Sequence, residues 1–196
     1  MNEIKAIETE YHGYRFRSRL EARWAVFFDA LGVPYEYEPE GYRLPSGRTY
    51  LPDFRVKCYG VRGDRNLDPF DLFIEVKGKM TAEDAEKIRE FSGEASGEIV
   101  NPILIVGQIP SFGGSSDSGV TEAYKCMDGI DDIYPFNYQL IDGDYFAAYP
   151  AAHKGRFYLW GDDSSYINRD DVDNVERAYD AARKARFEHG EQPSIL

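Results

Sequence analysis

The chain is poor in the residues that build disulfide networks, zinc sites and membrane spans. Cys58 and Cys126 are its two cysteines, and neither lies in a CxxC pair or near a histidine at zinc-ligand spacing. No apolar run approaches the roughly 18 residues of a membrane-spanning helix. The N-terminal sequence MNEIKAIETE lacks the basic start and apolar stretch of a signal peptide. We therefore expect a reduced, cytoplasmic protein without zinc and without a membrane partner.

Positive charge is also scarce. The chain has 23 Lys and Arg against 35 Asp and Glu, a formal net charge of -12. Such a balance argues against a surface that grips a polyanion along its whole length. Residues 1–110 carry 15 basic and 19 acidic residues, a net of -4, and residues 111–196 carry 8 and 16, a net of -8. The acidity is therefore concentrated in the second half.

Two stretches that do carry a strong signal are residues 50–57 and 70–77, taken as β-strands. Each alternates apolar and polar side chains with a period of two. Asp53 falls on the face opposite the main apolar side of the first stretch, and Glu75 and Lys77 project side by side from the second. If the two strands are antiparallel neighbours, these three ionisable groups converge on one patch of the sheet.

Two carboxylates and one ammonium are the groups needed for metal-dependent phosphodiester hydrolysis. Hard oxygen ligands such as Asp53 and Glu75 suit Mg2+ or Mn2+. A bound ion of this kind lowers the pKa of a water ligand and offsets the charge that builds on phosphorus. Lys77 would orient the attacking water or neutralise the same charge.

The stretch from Ser18 to Gly32 predicts an amphipathic helix that brings a further carboxylate. Its apolar stripe is Leu20, Trp24, Phe27, Phe28 and Leu31. Glu21 lies at the edge of this stripe, from which it could reach the sheet and support the metal. Ser18 and Glu21 also have the spacing of a capping box, so Glu21 has a purely structural alternative.

The chain resembles the PD-(D/E)XK, or restriction-endonuclease-like, superfamily. The resemblance rests on YRFRSRLEARWAVFFDALGVPYEYEPEGY, YLPDF and FIEVKGK, and it covers about residues 14–107. The most similar members are small phage-encoded nucleases, the nuclease subunit of heteromeric transposases and very-short-patch repair enzymes. The resemblance implies that Asp53 and Glu75 hold the metal, that Lys77 activates water and that Glu21 completes the cluster. The glutamine-bearing helix motif of the exonuclease branches has no match, so processive exonuclease activity is not expected.

The remaining elements of the first half agree with this reading. Thr81 opens a second predicted helix with an apolar stripe, and residues 103–106 form an unbroken apolar run typical of a strand buried on both faces. The order is then helix, three antiparallel strands, crossover helix and strand. This order predicts an α/β fold, an αβββαβ core with a mixed sheet.

Basic residues surround the predicted site although the net charge of the chain is negative, and the predicted helix cap Ser18 lies among them. The candidate phosphate contacts are Arg15, Arg17, Ser18, Arg19, Arg23, Arg43, Arg48, Arg55, Lys57 and Lys79. Each one alone is also explained as an ordinary solvated side chain. As a cluster around the site, they favour DNA as the partner.

The second half carries a weaker signal. We predict a nuclease-like core over residues 1–110 and a small, acidic, aromatic-rich α+β extension over 111–196, with a Gly/Ser-rich linker at 111–119. The aromatic residues of 133–160 could stack on unpaired bases, but a core role is favoured. A helix over 168–189 closes the chain, with acidic residues first and basic residues last.

The sequence thus favours a Mg2+-dependent endodeoxyribonuclease, encoded by a phage or a mobile element. One alternative is a non-catalytic interaction protein on the same fold, whose acidic second half mimics DNA and inhibits a host defence protein. Another is a structure-specific resolvase that acts as a homodimer on branched DNA. The sequence does not choose among nicking, double-strand cutting and branch resolution, nor between DNA and RNA.

Overall fold

The computed structural model describes residues 7–61, 68–93, 100–110, 137–141, 144–161, 169–187 and 193. The strands are β1 Thr9–Tyr11, β2 Tyr14–Phe16, β3 Tyr35–Tyr37, β4 Tyr42–Arg43, β5 Thr49–Tyr50, β6 Phe54–Val61, β7 Phe70–Val76, β8 Ile103–Val106, β9 Asn137–Ile141, β10 Asp144–His153 and β11 Arg156–Gly161. The helices are α1 Arg19–Ala30, α2 Ala82–Ser92 and α3 Arg169–Lys184. No helix within these ranges is both long and apolar enough to cross a membrane.

The start and end of α1 follow from its sequence. The Ser18 hydroxyl accepts a hydrogen bond from the Glu21 backbone N–H at 3.2 Å, so Ser18 is the N-cap. Gly32 lies just beyond the helix with a φ of 66°, a left-handed conformation that favours glycine. Trp24, Phe27 and Phe28 on the predicted stripe are fully buried. The predicted helix is therefore confirmed.

The main sheet is mixed, which confirms the predicted α/β class. Its order is β11-β10-β9-β8-β7-β6-β3. The predicted antiparallel pair is present, since β6 and β7 place Phe54 opposite Ile74. The α2 helix crosses over between β7 and β8, which run parallel. β11 also pairs with β6, so β6 to β11 form a closed circuit of hydrogen-bonded strands.

The predicted single strand over residues 50–57 is wrong at its start. Tyr50 belongs to β5, which pairs with β4 in a separate two-stranded sheet, and β6 begins only at Phe54. Pro52 has no N–H to donate to a strand ladder, which accounts for the break. Tyr50 therefore does not share a face with Phe54 and instead packs on the other side of the sheet.

The two faces of the main sheet bury different apolar clusters. The α1-face cluster includes Trp24, Phe27, Phe28, Phe54, Leu72, Ile74, Leu104 and Phe157. The α2-face cluster consists of Leu44, Tyr50, Phe73, Met80, Ala85, Ile88, Phe91, Ile103 and Ile105. Alternate residues of β7 and β8 contribute to opposite clusters, as expected for strands covered by helices on both sides.

The described strands and helix beyond residue 110 share the sheet and the α1-face cluster. β9 pairs with β8, and Phe157 of β11 is fully buried in that cluster. The rings of Phe27 in α1 and Tyr179 in α3 stack with 4.6 Å between their centroids. The turn at Gly155 passes so close to α1 that a Cβ atom there would lie 2.9 Å from the Gly32 carbonyl oxygen.

Only some of the other predictions for residues 111–196 concern residues that the structure describes. The predicted terminal helix is present as α3, Arg169–Lys184, with Arg183 and Lys184 in its last turn. Its predicted cap Asn168 and stop Gly190 lie outside the described residues, as do the predicted linker at 111–119 and Cys126.

Candidate active site

Asp53, Glu75 and Lys77 come together where β6 begins and β7 ends. Because β6 and β7 are antiparallel, Asp53, one residue before β6, lies across from the end of β7. One Asp53 carboxylate oxygen, Oδ2, accepts the Val76 N–H at 2.7 Å. Asp53 and Glu75 are only 3% and 4% exposed, so both carboxylates are shielded from bulk water. Buried charged groups of this kind need partners, which the neighbouring side chains supply.

Glu75 has a partner for each of its oxygens. The Tyr50 hydroxyl donates to Oε2 at 2.6 Å, and the Lys77 ammonium lies 2.9 Å from Oε1. Lys77 also lies 3.4 Å from Oδ1 of Asp84, in the first turn of α2. Burial lowers the pKa of Lys77, but the negative charges of Glu75, Asp84 and Asp53 outweigh it and raise the pKa overall. Lys77 is therefore a firmly charged ammonium held between two carboxylates.

Tyr50 is a site residue that sequence reasoning missed. A regular strand through position 50 placed its side chain on the apolar face with Phe54, away from Glu75. The signal that could have found it was Pro52, which breaks the strand and releases Tyr50 to the other face. Burial, and then the charge of Glu75, raise the pKa of Tyr50. Its hydroxyl consequently stays protonated and acts as a hydrogen-bond donor.

The Asp53 carboxyl is electrostatically disfavoured as an anion. Burial is the largest cause that raises its pKa, followed by the negative charges of Glu75 and Glu21. The hydrogen bond from Val76 and the charge of Arg17 act in the opposite direction but do not cancel the rise. Neighbouring buried carboxylates that repel each other are stabilised by a cation, so this corner suits a positively charged ligand.

Arg17 currently supplies positive charge beside Asp53. Its guanidinium Nη2 lies 2.6 Å from Oδ1 of Asp53, and its Nε lies 2.7 Å from Oε1 of Glu38. Arg17 immediately precedes the N-cap of α1, and its side chain is 54% exposed. The guanidinium thus bridges one buried and one partly exposed carboxylate at the edge of the site.

Glu21 is buried but is already satisfied by protein donors. Its Oε1 accepts the Ser18 hydroxyl at 2.7 Å, and its Oε2 accepts the Tyr37 hydroxyl at 2.6 Å and the Arg17 N–H at 3.0 Å. These contacts join the start of α1 to β3. Ser18 therefore caps α1, as the structural alternative for Ser18 and Glu21 predicted.

The donor set fits Mg2+ or Mn2+ as a pair of carboxylates. Within the part of the chain that the structure describes, no three Asp, Glu, His or Cys side chains are grouped closely enough to hold a metal. Mg2+ needs no such cage, because it keeps several waters and binds through one or two carboxylates and the substrate phosphate. Asp53 and Glu75 supply that number, and their mutual repulsion favours a divalent ion.

A pocket of about 450 Å³ opens beside Glu75 and Lys77. Its lining consists of Arg17, Gly41, Thr49, Tyr50, Leu51, Glu75, Lys77, Asp84 and Lys87. Lys87 on α2 is a second residue that sequence reasoning missed, since its spacing in α2 does not show which way it faces. Arg17, Lys77 and Lys87 give this pocket three cations near two carboxylates, a composition suited to an anionic substrate.

The other predicted DNA contacts lie outside this pocket lining. Several form ion pairs: Arg15 with Glu8, Arg48 with Glu86 and Glu90, Arg55 with Glu36 and Glu40, and Lys57 with Asp71. The remaining positions are Ser18, which caps α1, Arg19 and Arg23, which are partly buried on α1, and Arg43 and Lys79, which are exposed. The structure therefore brings Arg17 alone, of the predicted contacts, to the pocket.

In comparisons with family models, curated proteins and solved structures, the chain has no match.

Proposed function

We propose that the protein is a Mg2+- or Mn2+-dependent endodeoxyribonuclease with a restriction-endonuclease-like core. The element order supports this core: α1 precedes the antiparallel strands β3, β6 and β7, and α2 crosses over to the parallel strand β8. The predicted αβββαβ arrangement has the same order. The fold alone does not carry a function, so the proposal depends on the site.

The observation that carries the proposal is the convergence of Asp53, Glu75 and Lys77 where β6 begins and β7 ends, beside a pocket that Glu75 and Lys77 line. Two carboxyl groups buried side by side, of which Asp53 is disfavoured as an anion by burial and by the charge of Glu75, are costly to the folded protein. Hydrophobic residues would fill these positions at lower cost, so their presence supports a chemical role. Lys77 adds the one positively charged group that the proposed reaction needs beside them.

Each residue has a distinct proposed role. Asp53 and Glu75 hold the divalent ion, which when bound makes its water ligand more acidic and offsets charge on the scissile phosphate. Lys77 orients the attacking water, and the Asp84 carboxylate holds its ammonium in place from the other side. Tyr50 fixes the orientation of Glu75 through the hydrogen bond to Oε2. Arg17 and Lys87 lie where they can contact substrate phosphates.

Glu21 is a member of the metal cluster on sequence grounds, but its three protein donors favour the structural alternative, so the proposal gives the ion to Asp53 and Glu75 alone. The homodimer, the phage or mobile-element origin, the cytoplasmic location and a protein partner for the acidic second half also stay predictions. The choice between DNA and RNA belongs with them. An interaction protein that only mimics DNA would have no use for Asp53, Glu75 and Lys77 together, which is why the nuclease is preferred.

The proposal is tested by incubating the protein with linear, supercoiled, single-stranded and branched DNA in Mg2+, in Mn2+ and in EDTA. We expect cleavage of at least one DNA form in the presence of either metal and none in EDTA. A single-stranded RNA in the same series separates DNase from RNase activity. Absence of cleavage on every substrate would contradict the nuclease and favour the interaction protein.

A further inference from the structure

We infer that Arg17 and a divalent cation compete for Asp53, so that Arg17 is a resident counter-ion that sets the metal affinity of the site. The inference rests on the proposed function, because it takes Asp53 and Glu75 as the metal ligands.

The competition follows from the contacts of Asp53. Its Oδ2 is occupied by the Val76 N–H at 2.7 Å, which leaves Oδ1 as the oxygen best placed for a metal. The Arg17 guanidinium already donates to Oδ1 at 2.6 Å. A divalent ion and a guanidinium carry like charges and cannot both lie against one oxygen without strong repulsion. Metal binding at Oδ1 of Asp53 therefore requires that Arg17 move away.

Glu38 gives Arg17 a partner that it keeps after leaving Asp53. The Glu38 carboxylate lies 2.7 Å from the Arg17 Nε, and its side chain is 30% exposed. Glu38 has a φ of 45°, which is uncommon for a residue with a side chain, and its backbone N–H donates to the Asp53 carbonyl oxygen at 2.9 Å. This unusual backbone conformation is thus tied directly to Asp53, and such conformations concentrate at functional sites.

The position of Arg17 also allows the exchange. Its side chain is half exposed and lines the pocket, so it can swing into water without unpacking the core. Glu38 keeps the guanidinium paired throughout that movement, so the contact with Asp53 is the ion pair that is given up. The site then holds positive charge beside Asp53 both before and after metal binding, which keeps the buried carboxylate compensated.

The test is a titration of the full chain with Mn2+ in the absence of DNA. Binding is measured by calorimetry and by the shift in melting temperature. In Arg17→Ala the affinity for Mn2+ should rise about tenfold or more, because a charge-assisted competitor is removed. Arg17→Lys should give a smaller rise, since one ammonium replaces the fork that spans both carboxylates. Arg55→Ala removes the same charge two residues from Asp53 without touching it and should change the affinity by less than about threefold.

Glu38 provides a change of opposite sign. Glu38→Gln should weaken Mn2+ binding about threefold or more, because the site must then hold the guanidinium and the divalent ion with one negative charge fewer. The matched control is Glu36→Gln, which removes the same charge from the partner of Arg55 and should leave the affinity within about twofold of the wild type.

The outcomes separate this inference from the proposed function. Tighter binding in Arg17→Ala, or binding in Arg17→Ala where the wild type shows none, supports the competition. Mn2+ binding by the wild type that is unchanged in Arg17→Ala overturns the inference alone. An equal gain in Arg55→Ala also overturns it, because general charge would then explain the effect. Absence of Mn2+ binding in every variant overturns the metal site and the inference together.

Discussion

Glu21 and Glu75 are two buried glutamates on opposite sides of the sheet, and they differ in what surrounds them. Glu21 lies at the α1 side, where Ser18, Tyr37 and the Arg17 backbone supply three donors. Glu75 lies at the α2 side, where Tyr50 and Lys77 are its partners and the pocket opens. The first environment ties structural elements together, and the second places a carboxylate with a charged partner at the edge of the pocket.

The clusters behind these residues differ in the same way. The α1-face cluster is the larger and takes residues from α1, α3 and strands on both sides of position 110. The α2-face cluster is small and ends at the pocket. Burial of apolar area supplies most of the stability of a fold. We therefore expect substitutions on the α1 face to affect stability and substitutions on the α2 face to affect chemistry.

The largest effect on stability is expected from Phe27→Ala. Phe27 is fully buried on α1 and stacks on Tyr179 of α3, so its loss leaves a cavity between the two helices. Truncation of a buried phenylalanine costs about 3–5 kcal/mol. Denaturant unfolding measures the change, with the exposed Lys184→Ala of α3 as the control. A loss below about 1 kcal/mol would contradict the burial of Phe27 between α1 and α3.

Glu21→Gln sharpens the comparison between the two glutamates. The amide cannot accept all three donors, so we expect a loss of about 1–3 kcal/mol of stability. We expect the cleavage rate to stay within about tenfold of the wild-type rate, because a residue that only supports the fold affects the rate indirectly. Thermal unfolding and a cleavage assay measure the two effects. A cleavage loss of about a hundredfold or more at an unchanged melting temperature would place Glu21 in the metal cluster instead.

Tyr50→Phe addresses the other glutamate. The substitution removes the hydroxyl that donates to Glu75 and leaves one carboxylate oxygen without this partner, at a cost of about 1–3 kcal/mol. Cleavage should fall about tenfold because Glu75 is less well fixed. Tyr42→Phe is the matched control, since its hydroxyl bonds the exposed Glu40 at 2.8 Å. Equal effects of the two substitutions would contradict the positioning role of Tyr50.

The smallest effect is expected in the pH dependence of stability, and it comes from Asp53. Its pKa is raised in the folded protein, first by burial and then by Glu75 and Glu21. Because the pKa is raised, the contribution of Asp53 to the free energy of unfolding is fully present below the pKa that Asp53 has in the unfolded chain. This contribution is lost as the pH rises through the pKa of Asp53 in the folded protein. The substituted side chain in Asp53→Asn cannot ionise. The melting temperature of this variant should therefore rise relative to that of the wild type as the pH increases from pH 5 to pH 8.

Melting curves across that range measure this difference. Asp71→Asn is the control, because Asp71 is half exposed and paired with Lys57 at 2.6 Å. A gap between Asp53→Asn and the wild type that stays constant with pH would show that Asp53 ionises without a penalty.

Local patterns predicted much of the fold. The period of the apolar residues located α1, β7 and α2, and an unbroken apolar run located β8. The caps Ser18 and Thr81 marked both helix starts. The face of Glu75 and Lys77 followed from the same alternation along β7. These features depend on residues that are near one another in the chain, which is why a single sequence contains them.

The remaining features depend on contacts between distant segments. Tyr50 reaches Glu75 across 25 positions, Arg17 reaches Asp53 across 36, and Trp24 donates to the Gly107 carbonyl across 83. The joining of β9 to β8 and the packing of α3 on α1 depend in the same way on the assembled sheet. Most of the predicted basic cluster instead faces acidic neighbours, which residue type alone could not show.

The central claim is that Asp53, Glu75 and Lys77 form one metal-dependent hydrolytic site. The most direct measurement compares cleavage by the wild type with cleavage by Asp53→Ala, Glu75→Ala and Lys77→Ala at a fixed Mg2+ concentration, alongside their melting temperatures. We predict that the wild type cleaves and that each variant loses about a hundredfold or more while remaining folded. Cleavage at the wild-type rate by Glu75→Ala would contradict the account.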